Sequence, residues 1–394
     1  MEYVPKEEIE LRISRLQKEI AGLDLDGCLI THDMDLYYFT GTLQNSVLWV
    51  PPEGRPILAV KKSPDRARRE SPLEAIVAMR SYRQLPEILA FDKPPAGVGM
   101  ELDVLPVSAY ERLREALGDP ETTDVSSTVR RIRAVKSDYE ISLLQRAAEI
   151  HIEVFSMVPL LAEEGMTELE LAVRLEAEYR RRGLAGPTRV RAWNQDFHWG
   201  VVGTKESANY PTSFDGPDGT EGVTPAAPQV AGLRKIVRGE TLIVDLLSAH
   251  NGYVADMTRI FAFGEIPEEA FRAHGLAVEI QEQAASRLKP GEIPDSIYGE
   301  AKATADDSDW GEVFMGFGDN RVSFIGHGVG LELDEFPVIA KRFTEPLVEG
   351  MVVAIEPKFF LEEVGAVGIE DTYVVEKGGG RKLTEFPTDI QVLG

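Results

Sequence analysis

The chain has 394 residues, of which 43% are hydrophobic and 27% are charged. This length exceeds the usual size of one domain, so we expect two domains that each bury a core. Asp and Glu total 66 against 42 Lys and Arg, a formal net charge of −24. So acidic a surface repels phosphate backbones and anionic lipids, which excludes nucleic acid as an expected partner.

Targeting signals and cysteines narrow the class of protein further. No apolar run approaches the roughly 18 residues that a membrane span requires, so we expect no membrane association. The first 30 residues are charged and helix-patterned, without the apolar core and cleavage site of a secretory signal, and a cytoplasmic location is the default expectation. Cys28 is the only cysteine, which excludes an internal disulfide and a cysteine-rich zinc site.

Residues 1–127 predict an α/β domain. Short apolar runs at 27–32, 46–50 and 56–60 are separated by glycine and proline, as expected for buried strands between turns. The stretch GDPETTDVSS at 118–127 is rich in turn-forming residues and is interpreted as a short linker. The opening segment predicts a helix with an apolar stripe of Ile9, Ile13, Leu16 and Ile20.

Residues 128–394 predict helices that alternate with long antiparallel strands. Ser137 with Glu140, and Thr167 with Glu170, form the capping-box pattern that begins a helix. A third helix is predicted from about Pro267. The strands are TLIVDLLSAH and GYVADMTRIFAF, followed later by MVVAIEPKFFL and AVGIEDTYVVE.

The first two of these strands each carry an aspartate inside an apolar run. Asn251 and Gly252 between them are the dipeptide that best suits a two-residue type I′ hairpin. That turn pairs Leu247 with Asp256, so Asp245 and Asp256 become diagonal neighbours on one face. Two buried carboxylates this close repel unless a cation lies between them, and hard oxygen ligands suit divalent metals. The alternative is that each aspartate forms an ion pair with an arginine such as Arg259.

Three more ligand-type residues lie in similar apolar surroundings. Glu356 and Glu370 each interrupt a strand-like run, and we expect no basic partner for them within those runs. His327 is flanked by glycines that allow the backbone to come close to a bound group, although a lone buried histidine is commonly a core residue. Two Asp, one His and two Glu exceed the needs of one zinc ion and favour two ions about 3.5–4 Å apart, which suits amide hydrolysis.

These segments resemble the creatinase/aminopeptidase family with the pita-bread fold, which includes Xaa-Pro aminopeptidases, prolidase and methionine aminopeptidases. LQKEIAGLDLDGCLITHDMDLYYFTG is similar to the family's amino-terminal domain, and RRIRAVKSDYEISLLQRAAEI to the start of its catalytic domain. DLLSAHNGYVADMTR, GHGVGLELDE, AIEP and GIEDT match its metal-ligand segments. The resemblance implies an α/β (α+β) fold in which a creatinase-like amino-terminal domain precedes a pita-bread metallohydrolase domain. The implied metal ligands are Asp245, Asp256, His327, Glu356 and Glu370.

The same resemblance implies a function. It predicts a dinuclear hydrolase of short peptides, of the Xaa-Pro dipeptidase or aminopeptidase type, in which Glu356 carries a proton from the bridging water. Two divalent ions of manganese, cobalt, iron or zinc are expected as cofactors, a short peptide or other small molecule as substrate, and a homodimer as the assembly.

Three departures from the family pattern leave the substrate open. Asp334 stands where prolidase-like members usually carry a second His, Thr212 lies about where an upstream His would be, and Gly368 replaces an Arg two residues before the second Glu. Asp334 and His198 are therefore further candidates for catalytic groups, whereas His250 is interpreted as a turn residue. The alternatives are a non-peptide enzyme on the same scaffold, like creatinase, ectoine hydrolase or dimethylsulfoniopropionate lyase, and a non-catalytic binding module, against which five retained ligands argue.

The segment DGPDGTEGVTPAAPQVAG, at 215–232, is rich in glycine and proline and predicts a loop ahead of the first metal-binding strand. Loops in such positions commonly shape a binding pocket.

Overall fold

The computed structural model describes residues 2–186 and 188–394. The chain forms two units, Met1–Arg133 and Ala134–Gly394. No helix in the described part of the chain is both long and apolar enough to cross a membrane.

The first unit is built on a mixed six-stranded sheet with the order β4-β3-β2-β1-β5-β6. Its strands are β1 (Gly27–Ile30), β2 (Ser46–Val50), β3 (Ile57–Val60), β4 (Ile76–Ala78), β5 (Gly97–Met100) and β6 (Glu121–Asp124). Its helices are α1 (Lys6–Gly22), α2 (Asp33–Thr40), α3 (Pro64–Glu70), α4 (Leu85–Ile88), α5 (Val107–Ala116) and α6 (Ser126–Ala134), the last of which spans the division between the units.

The predicted helix and the three predicted strands of this half are confirmed. α1 buries its apolar stripe, and the three apolar runs become β1, β2 and β3. The linker predicted at 118–127 is wrong, because this segment contains β6, which pairs in parallel with β5. β6 is an edge strand with no buried residue, so it lacks the apolar pattern that would have revealed it. The boundary predicted near 128 falls inside α6.

The second unit is built on a nine-stranded sheet with the main order β11-β10-β12-β15-β9-β8-β7. In addition to these seven strands, β16 pairs with β15 and β17 pairs with β9. The strands of the whole unit are β7 (Gly200–Thr204), β8 (Thr241–His250), β9 (Tyr253–Phe263), β10 (Phe324–Val329), β11 (Leu333–Ala340), β12 (Val352–Ile355), β13 (Lys358–Leu361), β14 (Gly365–Gly368), β15 (Glu370–Glu376), β16 (Gly379–Lys382) and β17 (Gln391–Leu393). Its remaining helices are α7 (Asp138–Phe155), α8 (Val158–Leu161), α9 (Glu168–Arg181), α10 (Lys205–Ala208), α11 (Glu268–Ser286) and α12 (Pro294–Asp306).

Local signals in this half formed as predicted. Both capping boxes are present, at the start of α7 and of α9, and α11 follows Pro267. In the turn between β8 and β9, Asn251 has φ 49° and Gly252 has φ 88°, the left-handed backbone that a type I′ turn requires. The hairpin register pairs Leu247 with Asp256, which confirms the predicted register.

The last two predicted strands differ from expectation, because each is divided in two. β12 pairs with β15 in the large sheet, whereas β13 and β14 form a separate two-stranded sheet. The first break lies at Glu356 and Pro357, where proline cannot donate a backbone hydrogen bond to a neighbouring strand. The second break lies at Ile369, so both breaks are next to a predicted glutamate ligand.

Arg259 does not neutralise the aspartates of the hairpin. Its guanidinium is fully buried and donates to the Asp371 carboxylate at 2.7 Å. It also donates to the backbone carbonyls of Thr258 and Glu370, both at 2.8 Å. The alternative of an Arg259 ion pair with Asp245 or Asp256 is therefore wrong.

We expect Arg259→Met to lower the free energy of unfolding by about 3 kcal/mol, because it removes the guanidinium from a buried carboxylate and several carbonyls, while Lys382 and Thr384 still donate to Asp371. Arg381→Met is the control, since Arg381 and its partner Glu376 are both more than 40% exposed and such a pair contributes about 0–1 kcal/mol. Urea unfolding followed by circular dichroism measures both losses. Equal losses in the two variants would contradict the stabilising role of Arg259.

Candidate metal centre

Neighbouring strands of the large sheet bring the five predicted ligands together. Asp245 lies on β8, Asp256 on β9 and His327 on β10, while Glu356 follows β12 and Glu370 begins β15. All five side chains are buried, with exposed fractions between 1% and 9%. Residues that are far apart in the sequence thus form one cluster of carboxylates around an imidazole.

His327 is surrounded by three of the carboxylates. Its Nε2 atom lies 3.5 Å from Glu356 Oε1, 3.6 Å from Glu370 Oε1 and 3.9 Å from Asp256 Oδ2. Ligand atoms of Asp256, His327 and Glu370 all lie within 4.8 Å of one another. This spacing allows the three residues to hold one divalent cation.

Two buried oxygens of this group lack a hydrogen bond from the described residues. Asp256 Oδ1 and Glu370 Oε1 are buried and accept no hydrogen bond from any described residue. A buried polar atom without a partner costs about 1–3 kcal/mol, and more when it is charged. A metal ion coordinated by both oxygens would remove that cost, so the donor set fits a divalent cation.

A lysine occupies the other side of the cluster. Lys358 is fully buried, and its Nζ atom donates to Asp245 Oδ2 at 2.7 Å, Glu356 Oε2 at 2.9 Å and Glu370 Oε2 at 3.2 Å. The expectation that these apolar runs hold no basic partner is therefore wrong. Lys358 comes two residues after Glu356, the spacing at which side chains of an extended chain point to the same side, and this signal could have identified it.

A fifth carboxylate joins the cluster from the predicted loop at 215–232. Asp218 Oδ2 lies 3.6 Å from Lys358 Nζ, and the Asp218 side chain is 9% exposed. Residues 215–232, all of which the structure describes, form neither a helix nor a strand of a sheet. A loop has no repeating apolar pattern, so the sequence could not indicate that Asp218 points inward.

The pKa values of the side chains reflect their crowding. Burial, with the Glu370 and Asp245 carboxylates, raises the pKa of Asp256 well above its usual range. Burial also raises the pKa of Glu356 to about 7, although Lys358 opposes the shift. Burial alone would raise the pKa of Glu370, but Lys358 and His327 outweigh it and lower the value to about 2. One lysine thus does not balance the negative charge of the cluster.

Two side chains orient the predicted ligands from outside. Asp334 Oδ1 lies 3.4 Å from His327 Nδ1, the ring nitrogen that faces away from the carboxylates. Thr258 donates its hydroxyl hydrogen to Glu370 Oε2 at 2.9 Å. Contacts of this kind fix the orientation of a ligating imidazole or carboxylate. Asp334 is therefore placed to position His327.

The structure does not bring His198 to the cluster. Its ring is 58% exposed, and Nε2 lies 3.9 Å from Glu176 Oε2 on α9. The Thr212 hydroxyl accepts a hydrogen bond from the backbone N–H of Phe214. A catalytic role for His198 stays a prediction that this position does not support.

Gly368 lies opposite Lys358 in the pairing of β13 with β14. A Cβ atom at position 368 would lie 2.7 Å from Lys358 Cγ and 2.6 Å from the Pro357 carbonyl oxygen. A larger residue at this position therefore requires movement of the backbone. The absence of a side chain at 368 leaves room for the lysine stem to reach the cluster.

Comparison with known proteins agrees with this architecture. Metallopeptidase family M24 matches residues 142–377, more than half of the chain, and the creatinase/prolidase N-terminal domain matches residues 12–135. The Xaa-Pro dipeptidase of Pyrococcus furiosus is 26% identical, over 96% of this chain and 99% of that protein.

Solved structures show the same fold. Prolidase from Pyrococcus furiosus superposes with a TM-score of 0.78 at 25% identity, covering 94% of this chain and 100% of that chain. A Xaa-Pro dipeptidase from Bacillus anthracis superposes with a TM-score of 0.83 at 23% identity, covering 98% of this chain and 100% of that chain. The predicted fold class and family are confirmed. The chain belongs to metallopeptidase family M24, with a creatinase/prolidase N-terminal domain ahead of its M24 domain.

Proposed function

We propose that this protein is a metal-dependent hydrolase of short peptides, of the Xaa-Pro dipeptidase or aminopeptidase type. The observation that carries the proposal is that two carboxylates within 3.9 Å of His327 Nε2 each have a buried oxygen without a hydrogen bond, Asp256 Oδ1 and Glu370 Oε1. Membership of family M24 and the similarity to a Xaa-Pro dipeptidase over almost the whole chain support the reaction class.

Asp256, His327 and Glu370 are the residues that would hold a divalent cation, because carboxylate and imidazole donors suit such ions. Manganese, cobalt, iron and zinc all accept this donor set. A bound ion of this kind supplies an activated water and polarises the carbonyl of the scissile amide.

Glu356 is the carboxylate that we assign to proton transfer. Its Oε2 accepts from Lys358, and its Oε1 lies near His327, so both ends of the group are held. Its backbone N–H donates to the Ile325 carbonyl at 2.9 Å, which fixes the main chain although the residue lies outside β12. A carboxylate held this way is positioned to take a proton from water and deliver it to the leaving amine.

A second candidate function is a non-peptide reaction on the same scaffold. It is favoured by one observation, that residues which depart from the prolidase-like pattern contact the cluster itself. Asp334 lies against His327, and Gly368 lies against Lys358. These changes alter the surroundings of the reacting atoms while the candidate ligands remain.

We also propose a cytoplasmic homodimer that takes small peptides. Family resemblance and the prevalence of symmetric dimers support the assembly, and the acidic composition argues against a nucleic acid partner.

We expect Mn²⁺ to raise the midpoint of thermal unfolding. A ligand at about 100 times its Kd stabilises by about 2.7 kcal/mol, which corresponds to about 5–10 °C for a unit of this size. Asp256→Asn and His327→Ala should lose most of that rise, because each removes a donor. Asp309→Asn, at a side chain that is 83% exposed, is the matched control and should keep it. Equal rises in all four proteins would rule out this site.

Metal-loaded protein should hydrolyse at least one member of a panel of Xaa-Pro dipeptides, longer Xaa-Pro peptides and dipeptides without proline. Release of the free amino acid or shortened peptide, followed by chromatography, measures the reaction. Turnover of the panel supports the peptidase function, and hydrolysis of none would favour the non-peptide candidate.

Glu356→Gln should lower kcat by about 10²–10⁴-fold on whichever substrate is turned over, because the amide cannot carry the proton. Glu363→Gln is the control, since Glu363 is 88% exposed outside the cluster, and its kcat should stay that of the unaltered protein. A Glu356→Gln variant that retains full activity would contradict the assignment.

A further inference from the structure

We propose that the Lys358 ammonium takes the place of one of the two divalent cations that the ligand set predicts, so that this chain holds a single metal ion at Asp256, His327 and Glu370. The inference deepens the proposed function and rests on it for the role of that ion.

The oxygens of the cluster divide into two groups. Asp245 Oδ2, Glu356 Oε2 and Glu370 Oε2 each accept a hydrogen bond from Lys358 Nζ. Asp256 Oδ1 and Glu370 Oε1 accept none from the described residues. Glu370 thus belongs to both groups, with one oxygen on the lysine and the other beside His327. A carboxylate that bridged two metal ions would likewise direct one oxygen to each cation.

The ammonium and a metal ion cannot share the first group of oxygens. Metal–oxygen bonds to carboxylates are about 2.0–2.2 Å long for ions such as zinc, while Nζ lies 2.7–3.2 Å from the same atoms. An ion bonded to these oxygens would occupy the space of the ammonium, and the two positive charges would repel each other. One of the two must be absent.

The lysine is built into the protein. Pro357 separates β12 from β13, and Lys358 is the first residue of β13, fully buried along its length. Its register partner is Gly368, where any Cβ would press on the lysine stem. The glycine at 368 thus leaves room for the lysine stem, and Lys358 supplies the positive charge from β13.

The remaining charges of the cluster can accommodate one divalent ion beside the lysine. Asp218 and the four carboxylates of the predicted ligands surround one ammonium. A single divalent ion at the open oxygens would still leave the cluster without excess positive charge. Lys358 would contribute positive charge near the reacting atoms, but an ammonium offers no coordination position for a water molecule.

Counting the bound metal tests the inference. Wild-type protein is dialysed against excess Mn²⁺, and manganese per chain is measured by mass spectrometry. We expect one ion per chain and the electron paramagnetic resonance spectrum of an isolated ion. Lys358→Ala should bind two ions and give the spectrum of a spin-coupled pair, because three carboxylate oxygens are released. Lys302→Ala, which removes an exposed lysine charge on α12, should stay at one.

Two ions per wild-type chain, or none, would overturn the inference, as would a folded Lys358→Ala variant that still binds one. The variants are purified with Mn²⁺ present, and Lys358→Met serves where the alanine variant does not fold. The wild-type count alone decides the question if neither variant folds.

The metal count tests the single-ion inference, and the peptide assay tests the proposed function, so each can be refuted without the other. One ion per chain with no peptide hydrolysis would leave this inference standing and refute the proposed function. Peptide hydrolysis by a chain that holds two ions would do the reverse.

Discussion

The burial of several carboxylates on one face of the large sheet is the constraint on which the second unit depends. A buried carboxylate without compensation costs several kcal/mol, and like charges side by side add to that cost. β8, β9, β12 and β15 nevertheless converge so that Asp245, Asp256, Glu356 and Glu370 share one space. The sheet can hold this arrangement because cationic and hydrogen-bonding groups are fixed beside it. Lys358 and Thr258 are two of these groups.

Charged side chains on the two faces of the same strands have different partners. Along β15, Glu370 points into the cluster, while the next residue, Asp371, pairs with Arg259. Along β9, Thr258 bonds to Glu370 while Arg259 points to the other side. Strand alternation thus separates a closed ion pair from an incompletely neutralised cluster. The closed pair neutralises its own charges, whereas the open cluster keeps buried oxygens that a cation would satisfy.

Much of this arrangement could be predicted because short-range rules govern it. The Asn-Gly turn determines the register of β8 with β9, and the register brings Asp245 near Asp256. Capping boxes correctly marked the starts of α7 and α9. The ligand candidates were recognisable because carboxylates rarely interrupt apolar strands.

Other features depend on contacts between distant segments, which periodicity does not encode. β6 is an edge strand without a buried face, and Asp218 lies on a loop, so neither shows an apolar pattern. His198 stands beside Trp199, which is buried, yet the histidine ring turns outward to Glu176. Lys358 is a different case, because its two-residue spacing from Glu356 is visible in the sequence. The prediction missed this lysine, and it also gave two long continuous strands where the chain forms four shorter ones.

The break at Pro357 connects these observations. β12 ends directly before Glu356, and after Pro357 a separate pair of strands begins, in which Lys358 faces Gly368. A residue with a side chain at 368 would press on the lysine stem and on the carbonyl of Pro357. A lysine at 358 and an arginine at 368 would therefore compete for one space beside the carboxylates. The lysine at 358 and the glycine at 368 thus go together, and the lysine places its positive charge against the oxygens of Asp245, Glu356 and Glu370. On the other side of the cluster, Asp256 Oδ1 and Glu370 Oε1 stay without a hydrogen-bond donor among the described residues and are the oxygens that a metal ion would satisfy.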